Sequence, residues 1–321
     1  MRKSAVALAL VGVHGAHAQP VYPAKPIRLL VNAAPGSGGD SLARLLAEKL
    51  ARELNGTVVV ENKPGAGGTI AMDMLTRAAP DGYTLGLGSH STHILGPASS
   101  RHVPYDPVKD FTPIGKVGSA ATLLIAVKDY PADNLDEVVA LSKRSKEPLQ
   151  YASWGNGSSG HFCGELLNYR FKLGMAHIPY KSVAQIQTDL IGGHVKLAFV
   201  DMGTGTAMVK GGKAKAVASC GDRSPSLPEV ASYSDLDVDV AGKRPTPPRW
   251  TLYAPARTPA AVSAPLAKAL RATVESPEVK AWMLNQGIVP GFIEGEKVRE
   301  MNREDLIFWT GVAKAANIVT D

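Results

Sequence analysis

Twice near its start the chain runs an apolar segment straight into a bend of small residues that opens a helix. Residues 27–31 (IRLLV) lead into Pro35-Gly36-Ser37-Gly38-Gly39-Asp40, and residues 58–60 (VVV) lead through Glu61-Asn62-Lys63-Pro64 into Gly65-Ala66-Gly67-Gly68. A third segment, 85–88, ends in Ser89-His90-Ser91-Thr92. Strands that alternate with helices in this way pack as a largely parallel sheet, with the ligand site at the carboxyl ends of the strands. Small residues at those ends leave backbone N–H groups uncovered, which suits an anion.

The rest of the chain extends this plan. The spacing predicts a strand over 27–32, a helix over 41–54 capped by Asp40, a strand over 58–61, a helix over about 70–78 and a strand over 85–88. In the first helix Leu42, Leu45, Leu46 and Leu50 form one apolar stripe. Residues 103–112 (VPYDPVKDFT) are proline-broken and read as a loop. A strand over 123–127 and a helix over 135–144, opened by Asn134, follow. A short strand over 151–153 then enters Trp154-Gly155-Asn156-Gly157-Ser158-Ser159-Gly160, with a helix over about 161–173. Further short strands fall at 177–180, 195–200 and 214–218, an irregular stretch at 225–248, a strand at 250–254, and two or three helices within 260–286 and 295–316. The middle of the chain thus repeats the logic of its start. Two α/β lobes, each offering helix N-termini to a shared cleft, are the expectation. The first is assigned residues 22–120 and about 255–321, the second about 121–254.

The first residues carry a different signal. Arg2 and Lys3 precede the apolar run AVALALVGV over 5–13, and Ala16-His17-Ala18 makes a small-x-small site. This predicts a signal peptide over 1–18, cleaved before Gln19, and a periplasmic protein. The run is too short to cross a bilayer, which takes about 20 residues, so no stable membrane insertion is expected. With 45% hydrophobic and 20% charged residues the chain has a globular composition. Its formal net charge of +6 is spread along the chain rather than clustered, which argues against a nucleic-acid partner. The two cysteines, Cys163 and Cys220, are free to pair in an exported protein, but their spacing alone does not bring them together.

Several kinds of chemistry fail at the residue level. A dinucleotide cradle needs a third glycine where Ser41 stands, and Asp40 would repel a pyrophosphate; Glu61 occupies only roughly the place of a ribose-binding acid. No lysine follows the glycines as a phosphate-binding loop requires. Ser158 and Ser159 lack the nucleophile-elbow pattern, and His161 follows too closely along the same helix start to act as their base. A capping role suits them better, and an exported serine hydrolase is the weakest of the functions considered. His90 and His93 stand three apart and His161, His177 and His194 are scattered, without HExxH or grouped carboxylates, so neither a metal nor a cofactor is expected. Trp154 is placed to stack on a ligand or to pack between the lobes. Asp201 ends an apolar strand at the cleft, where it either meets the ligand or caps the next turn. What remains is binding by neutral N–H and hydroxyl donors, a mode in which a carboxylate needs no arginine.

At these residues the chain resembles the Bug family, the periplasmic solute receptors of tripartite tricarboxylate transporters. The resemblance runs from about Tyr22 to Ile318. It is carried by YPAKPIRLLV, Pro35-Gly36 with Asp40, VVVENKPGAGG, APDGYTL, YDPVKDFTPI, GNGSSGH, IPYK, RSPSLPEV and YAPARTP. It implies a two-lobed type II periplasmic-binding-protein fold that closes on a small carboxylate (a di- or tricarboxylate, an acidic amino acid or an aromatic acid), works as a monomer without catalysis, and delivers its ligand to a membrane permease. A ligand-loaded sensor for a membrane signalling kinase is the alternative. Carried over, the first bend contributes Ala33, Ala34, Pro35, Gly36, Ser37 and Gly38, and the second Ala66 and Gly67. Ser89, His90, Ser91 and Thr92 line the rest of the first lobe's side. Asn156, Gly157, Ser158 and Ser159 supply the second lobe's grip, His161 stands beside them as a further candidate, Trp154 adds bulk where the family often has a small residue, and Asp201 lies near the ligand's far end. One departure stands out: the family's first bend usually carries an aromatic residue and paired prolines, where this chain has Asn32-Ala33-Ala34-Pro35.

Overall fold

The computed structural model describes residues 22–65, 68–100, 102–238 and 246–319. The expected signal peptide with its cleavage site, and Ala66 and Gly67 of the second bend, lie outside the described residues. The chain begins with β1 (Ile27–Val31), α1 (Gly38–Glu53), β2 (Val58–Asn62), α2 (Thr69–Thr76) and β3 (Thr84–Ser89). A π-helical turn (Ser91–Leu95), the short α3 (Gly96–Ser99) and β4 (Phe111–Ser119) complete this part. The chain then crosses into β5 (Thr122–Val127), α4 (Leu135–Arg144), β6 (Gln150–Ser153), α5 (Ser159–Phe171) and β7 (Ala176–Pro179). There follow α6 (Val183–Ile191), β8 (Leu197–Asp201), α7 (Met202–Lys210) and β9 (Ala214–Cys220). It returns through β10 (Arg249–Pro255), α8 (Ala260–Glu275), α9 (Pro277–Asn285), β11 (Val289–Glu294) and α10 (Gly295–Ala315).

The result is a two-lobed α/β fold. One sheet has the order β11-β4-β10-β3-β1-β2, the other β7-β6-β8-β5-β9. Neither is largely parallel. The β1, β2 and β3 strands pair in parallel, as do β6, β7 and β8, but β10 runs against β3 and β4, and β5 against β8 and β9. The β11 strand also runs against β4, and for β5 and β10 the two crossings between lobes explain the direction. A strand that enters a lobe from the other one starts at the cleft, so it opposes the strands that end there. The same topology moves a boundary. The expected division near 254 leaves the strand at 250–254 in the second lobe, yet β10 pairs with β3 and β4 in the first. The expected loop over 103–112 also runs into a strand, β4, whose first residues it contains.

Each sheet is covered on both faces. Leu42, Leu46 and Leu50, spaced to one side of α1, pack with Leu29, Leu87, Leu252, Leu266 and Leu270 over one face of the first sheet. On its other face Met72 and Leu75 of α2 meet Phe111 and Tyr253. The second sheet carries Leu123, Ile186 and Val200 on one side and Tyr151, Phe162 and Phe199 on the other. That last cluster does not stop at the second lobe: it continues through Ile94 and Leu95 of the π-helical turn to Trp309 and Val312 of α10. The lobes are therefore in contact through a shared apolar seam. No helix among the described residues is long and apolar enough to cross a membrane.

Candidate functional site

The first bend is locked from inside. Ser37, rather than Asp40, caps α1, its hydroxyl oxygen accepting the Asp40 N–H at 3.3 Å. The two residue types cap equally well, and Gly38 and Gly39 let the helix start three residues early. Asp40 instead gathers the bend around itself. It is 3% exposed, and its carboxylate accepts the Gly36 N–H at 2.8 Å, Arg44 Nε at 3.0 Å and Asn62 Nδ2 at 2.9 Å. Asn62 Nδ2 also donates to the Ala33 carbonyl at 2.9 Å. The Arg44 guanidinium holds the Asp40 carboxyl down at about 2, with the Gly36 and Asn62 bonds helping against burial. The Gly36 N–H is thus committed to protein. Ala34, Pro35, Gly36 and Gly38 are exposed, while Ala33 and Ser37 are half-buried. The N–H groups of Gly38 and Gly39, in the first turn, have no acceptor within the helix.

An aromatic side chain does stand at this bend, but it comes from far along the chain. The Trp250 indole of β10 lies over Gly39, where a Cβ would come within 3.0 Å of both the indole and the Ala33 methyl. Trp250 pairs across the sheet with Ser89. The space that Ala33 and Ala34 leave open in sequence is therefore walled by Trp250.

At the end of β3 the residues are mostly turned inward. Asn32 Nδ2 donates to Ser89 Oγ at 3.1 Å, while Asn32 Oδ1 is buried without a partner among the described residues. Gly68, at φ 96°, tucks beneath Asn32 and Thr92, where a Cβ would approach each to 2.6 Å. Thr92 is fully buried: its Oγ1 accepts the Ser89 N–H at 3.0 Å and lies 2.9 Å from the Ser89 carbonyl and from His93 Nδ1. Behind it His93 stacks on Tyr253, with 3.8 Å between ring centroids. The Tyr253 hydroxyl accepts from Asn302, whose Oδ1 accepts from Arg249. Arg249 in turn pairs with Asp305, both buried. This arginine is ion-paired with its own carboxylate. Ser91 is half-buried at the turn. His90 is 2% exposed, sits edge-to-face on Trp309 at 6.1 Å, and neither of its ring nitrogens has a partner among the described residues. Burial, and then the nearby Arg249 charge, hold it well below the usual imidazole range, so it is neutral.

The second lobe builds its bend on a polar chain. Ser158 caps α5, accepting the His161 N–H at 3.2 Å, and its hydroxyl lies 3.1 Å from that of Ser153. Ser153 Oγ meets His177 Nε2 at 2.7 Å. The Gly157 N–H donates to His161 Nδ1 at 3.2 Å, and the His161 and His177 rings stack at 4.0 Å. Burial lowers His161 to about 4; burial and the neighbouring His161 lower His177 to about 3. Among the described residues neither the Ser158 nor the Ser159 hydroxyl is hydrogen-bonded to a histidine ring nitrogen; Ser158 meets the backbone N–H of His161 and the Ser153 hydroxyl. Trp154 packs on Gly160 and the core of its own lobe. Asn156 is exposed. Ser159 and Gly160 supply first-turn N–H groups without an intrahelical acceptor.

Asp201 is exposed and caps α7, accepting the Thr204 N–H at 2.9 Å. His90 and Ser159, from opposite lobes, line the same small cavity. Part of its wall is a disulfide that the sequence leaves open: Cys163 of α5 is bonded to Cys220 at the end of β9. Asn32, Ser153, His177, Trp250 and Trp309 also belong to this region, and the sequence does not single them out as site residues. Asn32 is the most findable, because it follows β1 where Ser89 ends β3. Among the described residues no group of three or more His, Cys, Asp or Glu side chains is arranged to hold a metal ion. Chemically the region offers neutral donors from both lobes, and its two arginines, Arg44 and Arg249, are both paired.

Comparison with known proteins places the chain in a family. Residues 42–318 match the model described as tripartite tricarboxylate transporter family receptor. A UPF0065 protein of Bordetella pertussis is 33% identical over 292 residues, which cover 90% of this chain and 88% of that one. The structure of periplasmic binding protein BugD superposes with a TM-score of 0.80 at 30% identity, covering 94% of this chain and 100% of that one. MatC from Rhodopseudomonas palustris with bound malate superposes with a TM-score of 0.78 at 26% identity, covering 91% of this chain and 99% of that one.

Proposed function

The chain belongs to the tripartite tricarboxylate transporter receptor family, and from that premise we propose that it is a periplasmic receptor for a small organic carboxylate. The observation that carries this is the pair of donor sets, one from each lobe. The first turns of α1 and α5 each present N–H groups without intrahelical acceptors, and Ser159, the first residue of α5, adds its hydroxyl. Neither nearby guanidinium competes, since Arg44 and Arg249 are bound to Asp40 and Asp305. Neutral donors suit a single carboxylate that must later be released. The malate carried by the MatC structure is a ligand of that chemistry. Trp154, Asn156, Ala33 to Gly38, Ser89 and Asp201 form the surroundings in this proposal.

In operation, ligand would favour the closed arrangement of the two lobes, and the closed form would hand its cargo to a tripartite tricarboxylate permease as a monomer. A thermal-shift panel of dicarboxylates, aromatic acids and amino acids tests the ligand class. A cognate acid at about 100 times its Kd raises stability by about 2.7 kcal/mol. Stabilisation by a neutral or cationic solute, with none by any carboxylate, would overturn the proposal.

A further inference from the structure

The lobes also meet away from the apolar seam, at the turn that joins α9 to β11. Gly203, in the first turn of α7, lies against that turn: a Cβ there would stand 2.6 Å from the Gln286 carbonyl oxygen and 3.3 Å from its carbon. From the other side Gly287, in the left-handed region at φ 70°, lies against α7, where a Cβ would come within 2.7 Å of Met202 Cγ and 3.1 Å of the Gly203 nitrogen. Beside them the Ser226 hydroxyl of the second lobe donates to the Leu284 carbonyl at 3.3 Å. Backbone thus meets backbone across the lobes, with a glycine on each side. Side chains in the seam can change rotamer, whereas planar peptide groups in contact cannot, so this contact yields far less.

Its place in the two sheets gives it leverage. Val289, just after the turn, pairs with Ser119 at the end of β4, and Asp201, just before α7, pairs with Thr122 at the start of β5. The contact therefore lies one strand away from the β4–β5 crossing. The two crossings are themselves joined, the Ala120 N–H donating to the Pro248 carbonyl at 2.8 Å. With the strands held there, the thickness of the contact beside them decides how one lobe tilts on the other. A methyl group on Gly203 needs about 0.8 Å more room to reach ordinary contact with the Gln286 oxygen, and at one strand spacing, about 4.8 Å, that is a tilt of about 10°. Binding groups must be held to about 0.5 Å and 10–20°, so a tilt of this size moves the α5 donors off a ligand held at α1.

We propose that the α9–β11 turn and the first turn of α7 form a bearing that sets the angle between the lobes, with Gly203 and Gly287 as positioning residues for the ligand; their effect on binding rests on the carboxylate reading above. The lobes turn on this bearing as they close, so it is kept in both the free and the loaded protein. Asp201, at the proposed site, caps the same helix through the Thr204 N–H. Bearing and site therefore share one rigid element.

Residual dipolar couplings of the ligand-free protein measure the angle between the lobes. Gly203→Ala should turn one lobe on the other by about 10°. In calorimetric titration it should bind the probe about tenfold more weakly than the parent. The probe is malate, or the acid that most raises the parent's melting temperature. Gly311→Ala, at a helix position where a Cβ meets nothing within 4 Å, should change neither angle nor affinity. In the parent, nuclear Overhauser contacts between Gly203 and Gln286 should be present with and without the probe. A folded Gly203→Ala with the parent's angle would overturn the bearing. Loss of the Gly203–Gln286 contacts on adding the probe would also overturn it, and needs no variant to fold. A changed angle with unchanged affinity would overturn the positioning role. Binding of no acid by the parent would remove the carboxylate reading, and the angle of the ligand-free variant would still decide the bearing.

Discussion

At the scale of single residues, Asp40 shows how one carboxylate can hold a binding bend in shape. It joins the Gly36 N–H, Arg44 and Asn62, and it is buried while it does so. Asp40→Asn keeps the size, removes the charge and brings an amide N–H group against Asn62 and Arg44. Urea unfolding should show a loss of about 2 kcal/mol, with ligand affinity falling as the bend loosens; stability within about 0.5 kcal/mol of the parent would contradict this role. Residue type alone cannot assign the part Asp40 plays. Serine and aspartate both cap helices, and only the position of Asn62 on the neighbouring strand decides that Ser37 caps while Asp40 turns inward. Trp250 is hidden for a similar reason. Its neighbours at the bend, Ala33 and Gly39, lie at the opposite end of the sequence.

At the scale of elements, what local signals show is legible and what distant partners impose is not. Helix α1 has a strong apolar stripe, and α4 has Asn134 as its cap, so both can be read directly. Strand β4 reads FTPIGKVGS, with a proline and two glycines that weaken any local strand signal. It exists because β10 and β11 pair with it from either side, through ladders with irregular register. Strand β11, with Pro290 and Gly291, is concealed in the same way. The disulfide is another distant partner. It ties the start of α5 to the end of β9 across 57 residues. Replacing both cysteines by serine should lower stability by about 2–4 kcal/mol in denaturant unfolding, and reducing agent should do the same to the parent protein. Insensitivity of the parent to reductant, with the double variant equally stable, would show that the bond is idle.

At the scale of the whole molecule, four buried or half-buried histidines give folding a common pH dependence. Burial holds His90, His93, His161 and His177 below the ordinary value of 6.5; Arg249 adds to the effect on His90 and His93, and His161 to that on His177. Each is neutral when folded, so the unfolded chain takes up protons first. Their contribution is complete above about pH 6.5 and falls as the pH drops towards 4, by up to about 1.4 kcal/mol per pH unit for each histidine. Melting temperatures measured from pH 8 to pH 4 should decline steadily below 6.5, and a flat profile to pH 5 would contradict this. The position of β10 has another consequence, for the order in which such a chain can mature. Both partners of β4 lie later in the sequence, and β3 reaches its second neighbour only when β10 inserts beside it. The second lobe's sheet comes from one continuous stretch, β5 to β9, whereas the first lobe's is complete only when residue 294, the end of β11, is available. As the polypeptide emerges from its N-terminus, one half can finish early while the other waits with bare sheet edges. That interval is when a holding chaperone would have most to grip, because the first lobe's sheet edges stay unpaired until the later strands arrive.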